Sequence, residues 1–319
     1  MEINQNISSV SDFLEAIYEL NSSYTISGMA DTPTGCKFLY RGHSNADYVL
    51  LPAIFREEKN IDVTIDDYVT NYRYLSYVTE KEILRSFIEE ACAFIKKNPS
   101  KHFSRWAEYA QHYGAPTRFL DWTENPLVAL YFACKDNKPI YKEHGGEIGG
   151  NDGCVWMLHL ENYHRLANQK KNIVFSSDLK GECTIAEAIE KIYKGSTPEI
   201  VFKYPVVYKP YYVDSRMSAQ SSFFMVWGKE NNSLDTLLME EVHRLRSNQI
   251  FQGGRISSAS QENEVSLKFH VFKGSKQKVL RELDRCGINE KTLFPSVDGI
   301  GRYIAMKYCF DLEEAKNCI

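Results

Sequence analysis

Helical and strand-like apolar periods share this chain without alternating, and that constrains its architecture more than any single motif does. Helical stripes lie near both ends. Ser9 to Asp12 has the form of a capping box ahead of Phe13, Ile17 and Leu20. Ile83, Leu84, Phe87, Ile88, Cys92 and Ile95 make one helical face over about 79–97, and Phe103, Trp106, Ala107 and Ala110 make another over about 101–113. The second stops at Gly114 with Pro116 two residues later, the expected C-terminal grammar. Asn125-Pro126 supplies an N-cap and a first-turn proline for the apolar helix LVALYFAC. Thr184 to Glu187 reads as another capping box, and residues 233–247, 275–286 (capped by Gly287) and those after Pro295 read as helices. Strand-like runs fill the middle and second half: 37–40, 117–123, 154–160, 206–213, 221–227 and 264–272. With no regular βαβ rhythm, the class predicted is α+β, with a central, split antiparallel sheet flanked by helices. No internal repeat and no long polar linker interrupts the chain, although KEHGGEIGGNDG reads as a flexible loop, so residues 1–319 are expected to form a single domain.

Composition narrows the function classes. With 38 Lys+Arg against 42 Asp+Glu the net charge is −4, which is no footprint of a dedicated nucleic-acid binder. Apolar stretches fall short of the roughly 20 residues a membrane helix needs, and the N-terminal MEINQNISSVSDFLEAIYEL lacks the form of a secretory signal. A cytoplasmic protein with no membrane partner is the expectation. The 8 cysteines include no C-x-x-C pair and read as buried, reduced thiols. No His/Cys cluster has ligand spacing, so no metal site is expected. P-loop, G-x-S-x-G, H-E-x-x-H and G-x-G-x-x-G motifs are all missing.

Three polar clusters interrupt the apolar pattern. In Leu39 to His43, Arg41 ends an apolar strand and Gly42 allows a close approach. Arg41 there is either an anion clamp for phosphate or carboxylate, or the partner of a buried carboxylate. The stretch Gln111 to Thr123 is the densest polar and aromatic segment. The N–H groups at the start of the helix after it can cradle a phosphate, whereas Asp121 and Thr123 can equally be helix caps and His112 and Tyr113 can bond within a turn. In Arg216 to Gln220, between two strands, both end residues can meet a ligand or satisfy an irregular connection.

Taken in order, FLYRGH, AQHYGAPTRFLDWTENPLVALYFA and RMSAQSSFF closely resemble the FRG-domain family, and LRELDRCGINEKTLFPSVDGIGRYI is similar to its closing segment; the resemblance spans about 10–310. A weaker similarity links Tyr40-Arg41-Gly42, Phe119 to Thr123 and Ala129 to Ala133 to arginine-type mono-ADP-ribosyltransferases. That likeness implies an ADP-ribosyltransferase-like fold and NAD as cofactor. It implies that Tyr40, Arg41, Gly42, His112, Tyr113, Thr117, Trp122, Thr123 and Arg216 hold a nucleotide-like ligand. It also implies a carboxylate that stabilises the oxocarbenium-like ribose as nicotinamide leaves. Where a third-strand glutamate is expected the chain has Gln220. Glu264, in Glu262-Asn-Glu264, and Asp121 are the alternative anions, so Arg41, Asp121, Gln220 and Glu264 form the candidate catalytic set. The implied function is an NAD-binding transferase or NAD-cleaving enzyme, a bacterial toxin or defence effector with a macromolecular acceptor. The alternative is a non-catalytic nucleotide-binding module using the same cleft. Either way Arg41, the 112–123 segment and Gln220 are expected to converge.

Overall fold

The computed structural model describes residues 2–24, 38–56, 64–65, 68–69, 77–95, 103–135, 150–167, 174–175, 187, 189–190, 193, 204–210, 212, 214–228, 232–239 and 265–317. Its strands are β1 (Glu2–Ile7), β2 (Phe38–His43), β3 (Thr64–Ile65), β4 (Tyr68–Val69), β5 (Phe119–Thr123), β6 (Gly153–His159), β7 (Val174–Phe175), β8 (Val206–Lys209), β9 (Ser222–Val226) and β10 (Ser266–Val271). Its helices are α1 (Val10–Tyr24), α2 (Tyr77–Ala91), α3 (Phe103–His112), α4 (Pro126–Cys134), α5 (Leu160–Leu166), α6 (Ser215–Ala219), α7 (Lys276–Arg285), α8 (Glu290–Leu293) and α9 (Val297–Asn317). No described helix is long and apolar enough to cross a membrane.

The class is α+β. One sheet runs in the order β1-β10-β6-β2-β5-β9-β8-β7, antiparallel through its six inner strands, with β1 and β7 joined parallel at the edges. β3 and β4 form a separate hairpin. The sheet is continuous, but its weakest seam is central: β2 meets β5 through one residue pair, Tyr40 with Thr123.

Alternation along the strands sends Phe38, Tyr40, Phe119, Phe224 and Val226 to one face and Leu39, Leu120, Trp122, Phe223 and Met225 to the other. The second face carries a single core, closed by α5 and residues 234–238. The first carries two. Over β1, β10, β6 and β2 lie α1, α4 and α7, packed through Phe13, Val128, Ala129, Leu130 and Leu283. Over β5, β9 and β8 lie α2 and α3, packed through Leu84, Trp106, Ala107 and Ala110. The gap between these two cores sits over the weak seam.

Close approach of α4 to the sheet depends on two glycines. A Cβ at Gly42 would fall 1.9 Å from the Ala129 carbonyl oxygen, and one at Gly153 would fall 2.2 Å from that of Ala133. Helix and strands therefore touch backbone to backbone, an arrangement only glycine permits.

Several expectations are corrected. Cys134 and Cys154 are buried free thiols, but Cys92 and Cys286 are exposed, because they sit at the ends of α2 and α7 rather than on a packed face. The connection around Arg216 is a helical turn capped by Asp214, not irregular chain. Ser9 caps Asp12 as expected, but the Asp12 carboxylate turns to the Ser8 N–H and hydroxyl. Most of the helix expected after Thr184, and the end of the one expected at 233–247, lie outside the described residues.

Candidate functional site

A cleft of about 680 Å³, its open mouth included, occupies the gap between the two cores. Its floor is the sheet at Tyr40, Arg41, Gly42, Asp121, Trp122, Thr123 and Ser222. One wall is α4 through Val128, Ala129 and Phe132, and the other is the end of α3 through Gln111 and His112. Arg216 and Gln220, at the two ends of α6, close it. The three polar clusters, far apart in the chain, thus face one hollow.

Arg41 belongs by alternation to the Leu39 face, yet its guanidinium turns into the open seam. Past the Tyr40–Thr123 pair β5 has no ladder bond to β2, and Arg41 Nη1 takes the Asp121 carbonyl at 2.5 Å. Its Nε donates to His43 Nε2 at 2.9 Å. Since arginine only donates, His43 Nε2 must accept, so His43 carries its hydrogen on Nδ1 and gives it to the Tyr48 carbonyl at 3.2 Å. Burial and the neighbouring Arg41 hold His43 well below its usual pKa, consistent with a neutral ring. Burial lowers Arg41 to about 10, with Asp121 opposing the shift, so it stays cationic at neutral pH. Nη2 bonds nothing among the described residues. Among the described residues Arg41 makes no ion pair with a buried carboxylate.

Asp121 projects from the cleft floor. Its Oδ2 accepts from Gln111 Nε2 at 2.6 Å, and Oδ1 has no partner among the described residues. Thr117 donates its hydroxyl to Gln111 Oε1 and receives the Phe119 N–H. Thr117 therefore orients Gln111 from behind and does not line the cleft, contrary to expectation. Thr123 stands in it: its hydroxyl takes the Asn125 N–H at 3.0 Å and donates to the Gln220 carbonyl at 2.7 Å, joining β5 to α6. Gln220 gives its side-chain N–H to the Leu293 carbonyl at 3.0 Å, leaving its own oxygen unclaimed among the described residues.

On the α3 side His112 is 5% exposed, and burial with the nearby Arg216 charge holds it down to about 4, so its ring is neutral at pH 7. Tyr113 lies outside the cleft; it is exposed, stacks on Tyr109, and donates to Asp214 Oδ2 at 2.7 Å. Trp122 contributes to the floor with its ring buried in the opposite core. The expected phosphate cradle at the start of α4 is filled from within except at the Val128 N–H, which has no partner among the described residues. Pro126 has no N–H, the Asn125 side chain caps Leu127, and the Asn125 carbonyl takes Ala129. Neither Asp121 nor Thr123 caps α4 through its first turn. Glu264 and Glu262 lie outside the described residues.

Residues not expected to matter also belong here. Gln111 clamps Asp121, and Phe132 shapes the α4 wall; both stand inside motifs already singled out. Phe294 holds Arg216 under its guanidinium, 4.4 Å from the ring centroid, and no local signal near 294 announces that. No group of His, Cys, Asp and Glu able to hold a metal occurs among the described residues.

No curated protein and no solved structure matches the chain. A family model does match, over residues 36–141, about a third of the chain. That stretch runs from β2 past α4 and so includes Arg41, Gln111, Asp121 and the α4 wall, while Arg216 and Gln220 lie beyond it. What matches across residues 36–141 is the model of the FRG domain.

Proposed function

We propose that the cleft binds a phosphorylated, nucleotide-type small molecule, with NAD the molecule its chemistry suits, and that the protein cleaves the nicotinamide–ribose bond in the manner of an ADP-ribosyltransferase or NAD glycohydrolase. One observation carries the reading: the Asp121 carboxylate, with an oxygen to spare, shares a cleft with the unengaged Nη2 of Arg41. Arg41 fits a phosphate, being fixed by two bonds with an N–H edge left over. Bound NAD would supply the ribosyl–nicotinamide bond. That bond would break with its electron pair going to the nicotinamide nitrogen, while an oxygen of water or of a macromolecular acceptor would bond to the ribose carbon and release its proton to solvent. Asp121 opposes the positive charge that builds on the ribose, and Gln220, a neutral amide, orients a hydroxyl. An anion placed where charge develops contributes about 10²- to 10³-fold in rate. A toxin or defence effector would use such a site to deplete NAD or to label an acceptor.

The test is calorimetric titration with NAD together with chromatographic assay of released nicotinamide. Arg41→Ala is expected to lose binding, whereas Asp121→Asn keeps binding and loses turnover by about 10²-fold or more. A folded wild-type protein that neither binds NAD nor releases nicotinamide overturns the proposal. A binding module without catalysis is the second reading, favoured by Gln220 standing where a glutamate is needed and by the Gln111 clamp on Asp121. Binding without turnover, unchanged in Asp121→Asn, selects it.

A further inference from the structure

Three cleft-lining residues carry a buried nitrogen with no partner among the described residues: Trp122 Nε1, whose ring sits in the opposite core, and two more that the roles given to Arg41 and Asp121 leave unaccounted for. His112 Nε2 and Arg216 Nε are both shut off from solvent, and neither has a hydrogen-bond partner among the described residues. A protein leaves a buried donor unpaired only at a cost, so two in one cleft call for an occupant. Each is held in place by other contacts. Asp214 caps α6 by taking the Arg216 backbone N–H at 2.6 Å, and its other oxygen takes the Tyr113 hydroxyl. The first of those oxygens lies 3.9 Å from His112 Nε2, too far to bond but near enough to favour the tautomer with hydrogen there. In that tautomer His112 presents a donor to the cleft.

The Arg216 guanidinium lies over the Phe294 ring, which also meets Lys135 Nζ at 4.4 Å and the Arg302 guanidinium at 5.6 Å. Glu290 answers those last two, bonding Lys135 at 2.7 Å and Arg302 at 2.5 Å. Arg216 is thus the cation of this trio that faces the cleft, with its flat face on the ring and its N–H edge unspent.

We propose that His112 and Arg216 form an oxyanion subsite, separate from Arg41, that takes a phosphate group of the ligand on two N–H donors. A phosphate oxygen accepts both hydrogens and gains from the guanidinium charge, and the neutral imidazole adds a donor without repelling Arg216. With Arg41 the cleft then has two phosphate positions, which specifies a ligand carrying at least a diphosphate. This rests on the reading that the cleft takes a phosphorylated nucleotide.

The test uses inorganic phosphate and, separately, nicotinamide, titrated into the full chain while the ring nitrogens of its histidines are followed by long-range ¹⁵N–¹H correlation. His112→Gln identifies the His112 signal. Phosphate is expected to move it saturably, and nicotinamide to leave it still. Arg216→Gln should weaken that response at least tenfold, and Arg216→Lys, which keeps the charge but not the Nε–H, should restore part of it. A signal indifferent to phosphate, a response to nicotinamide instead, or Arg216→Gln titrating like wild type overturns the proposal. Should NAD fail to bind while phosphate still moves His112, the NAD reading falls and the subsite stands. Should NAD be bound and cleaved with His112 silent to phosphate, the subsite alone falls.

Discussion

Replacing Gly42 by alanine tests the link between the α4 contact and the cleft. The added methyl would lie 1.9 Å from the Ala129 carbonyl oxygen, 2.6 Å from the Ala133 nitrogen and 2.9 Å from the Ala129 carbonyl carbon. All three are backbone atoms, so no rotamer change relieves the overlap. To restore a carbon–oxygen separation of about 3.2 Å the helix must lift off β2 by roughly 1.3 Å, opening the packing of Val128, Ala129 and Leu130 against the sheet. Overpacking typically costs about 1–3 kcal/mol, and with rigid backbone on both sides the expectation is the top of that range, about 3 kcal/mol. Because Val128, Ala129 and Phe132 are also the cleft wall, ligand binding should weaken along with stability. Equilibrium urea unfolding reads the first effect as a lowered midpoint at unchanged slope. Gly301→Ala is the control: nothing lies within 4 Å of its Cβ position on α9, and alanine there should be neutral or stabilise by up to about 1 kcal/mol. The reasoning is refuted if Gly42→Ala unfolds within about 0.5 kcal/mol of wild type.

Glu80→Ala should cost about 3–5 kcal/mol, read by the same unfolding assay, because it removes the carboxylate that neutralises the buried Arg118 guanidinium at 2.6 Å; a cost below 1 kcal/mol contradicts this. His112, held down to about 4 by burial, makes the folded state bind fewer protons than the unfolded one between pH 4 and 6.5. Its contribution is complete above pH 6.5 and falls away by about 3 kcal/mol towards pH 4, so His112→Gln should flatten that part of the stability profile, and an unchanged slope would speak against a neutral buried ring. Glu290 is lowered in spite of its burial by hydrogen bonds from Lys135, Tyr131 and Arg302, so its stabilisation is present above its ordinary value of 4.5 and is lost as pH falls further. Glu290→Gln should therefore destabilise at pH 7 by about 1–3 kcal/mol and converge with wild type in acid, a pattern that acid titration of the two proteins checks.

Local signals made the walls of the cleft readable. Gly114 has φ 88°, the left-handed conformation its place after α3 calls for, and Asn125 caps α4 through its side chain as the Asn-Pro pair indicates. The segment between them, rich in polar and aromatic groups where a plain loop would serve, supplies Asp121, Trp122 and Thr123 of β5 to the floor of the cleft. α6 was not readable: Asp214 caps it by taking the Arg216 N–H, where the sequence suggested an irregular connection between two strands. Nor was β1: EINQNI has no apolar alternation, and it is a strand because β10, more than 250 residues away, offers its edge. Gly42 was readable as a point of close approach for another backbone or a ligand; the backbone is that of α4, a choice that needs the helix in place, and Gly42 lines the cleft as well.

What no local period announces is the seam. In the register set by Tyr40 and Thr123, the next residues of β2 would pair with β5, and ladder bonds would close the sheet there. Arg41 instead occupies the Asp121 carbonyl with its side chain, a bond between residues 80 apart in sequence. That substitution satisfies a backbone acceptor without a neighbouring strand, so β2 and β5 separate while the sheet remains one. The separation leaves the two upper cores without a common packing surface, and the cleft is the space that results. Thr123 to Gln220 and Gln220 to Leu293, 97 and 73 residues apart, then draw α6 and α8 over its end. On this account Arg41 does two things at once, holding the seam open and offering a charge within it. Arg41→Lys separates them in practice: lysine keeps the charge but cannot bond His43 and the Asp121 carbonyl as a planar fork. Hydrogen exchange at the amides of β2 and β5 should then change even where ligand affinity is partly kept, and unaltered exchange would show that the seam is set by the strands alone.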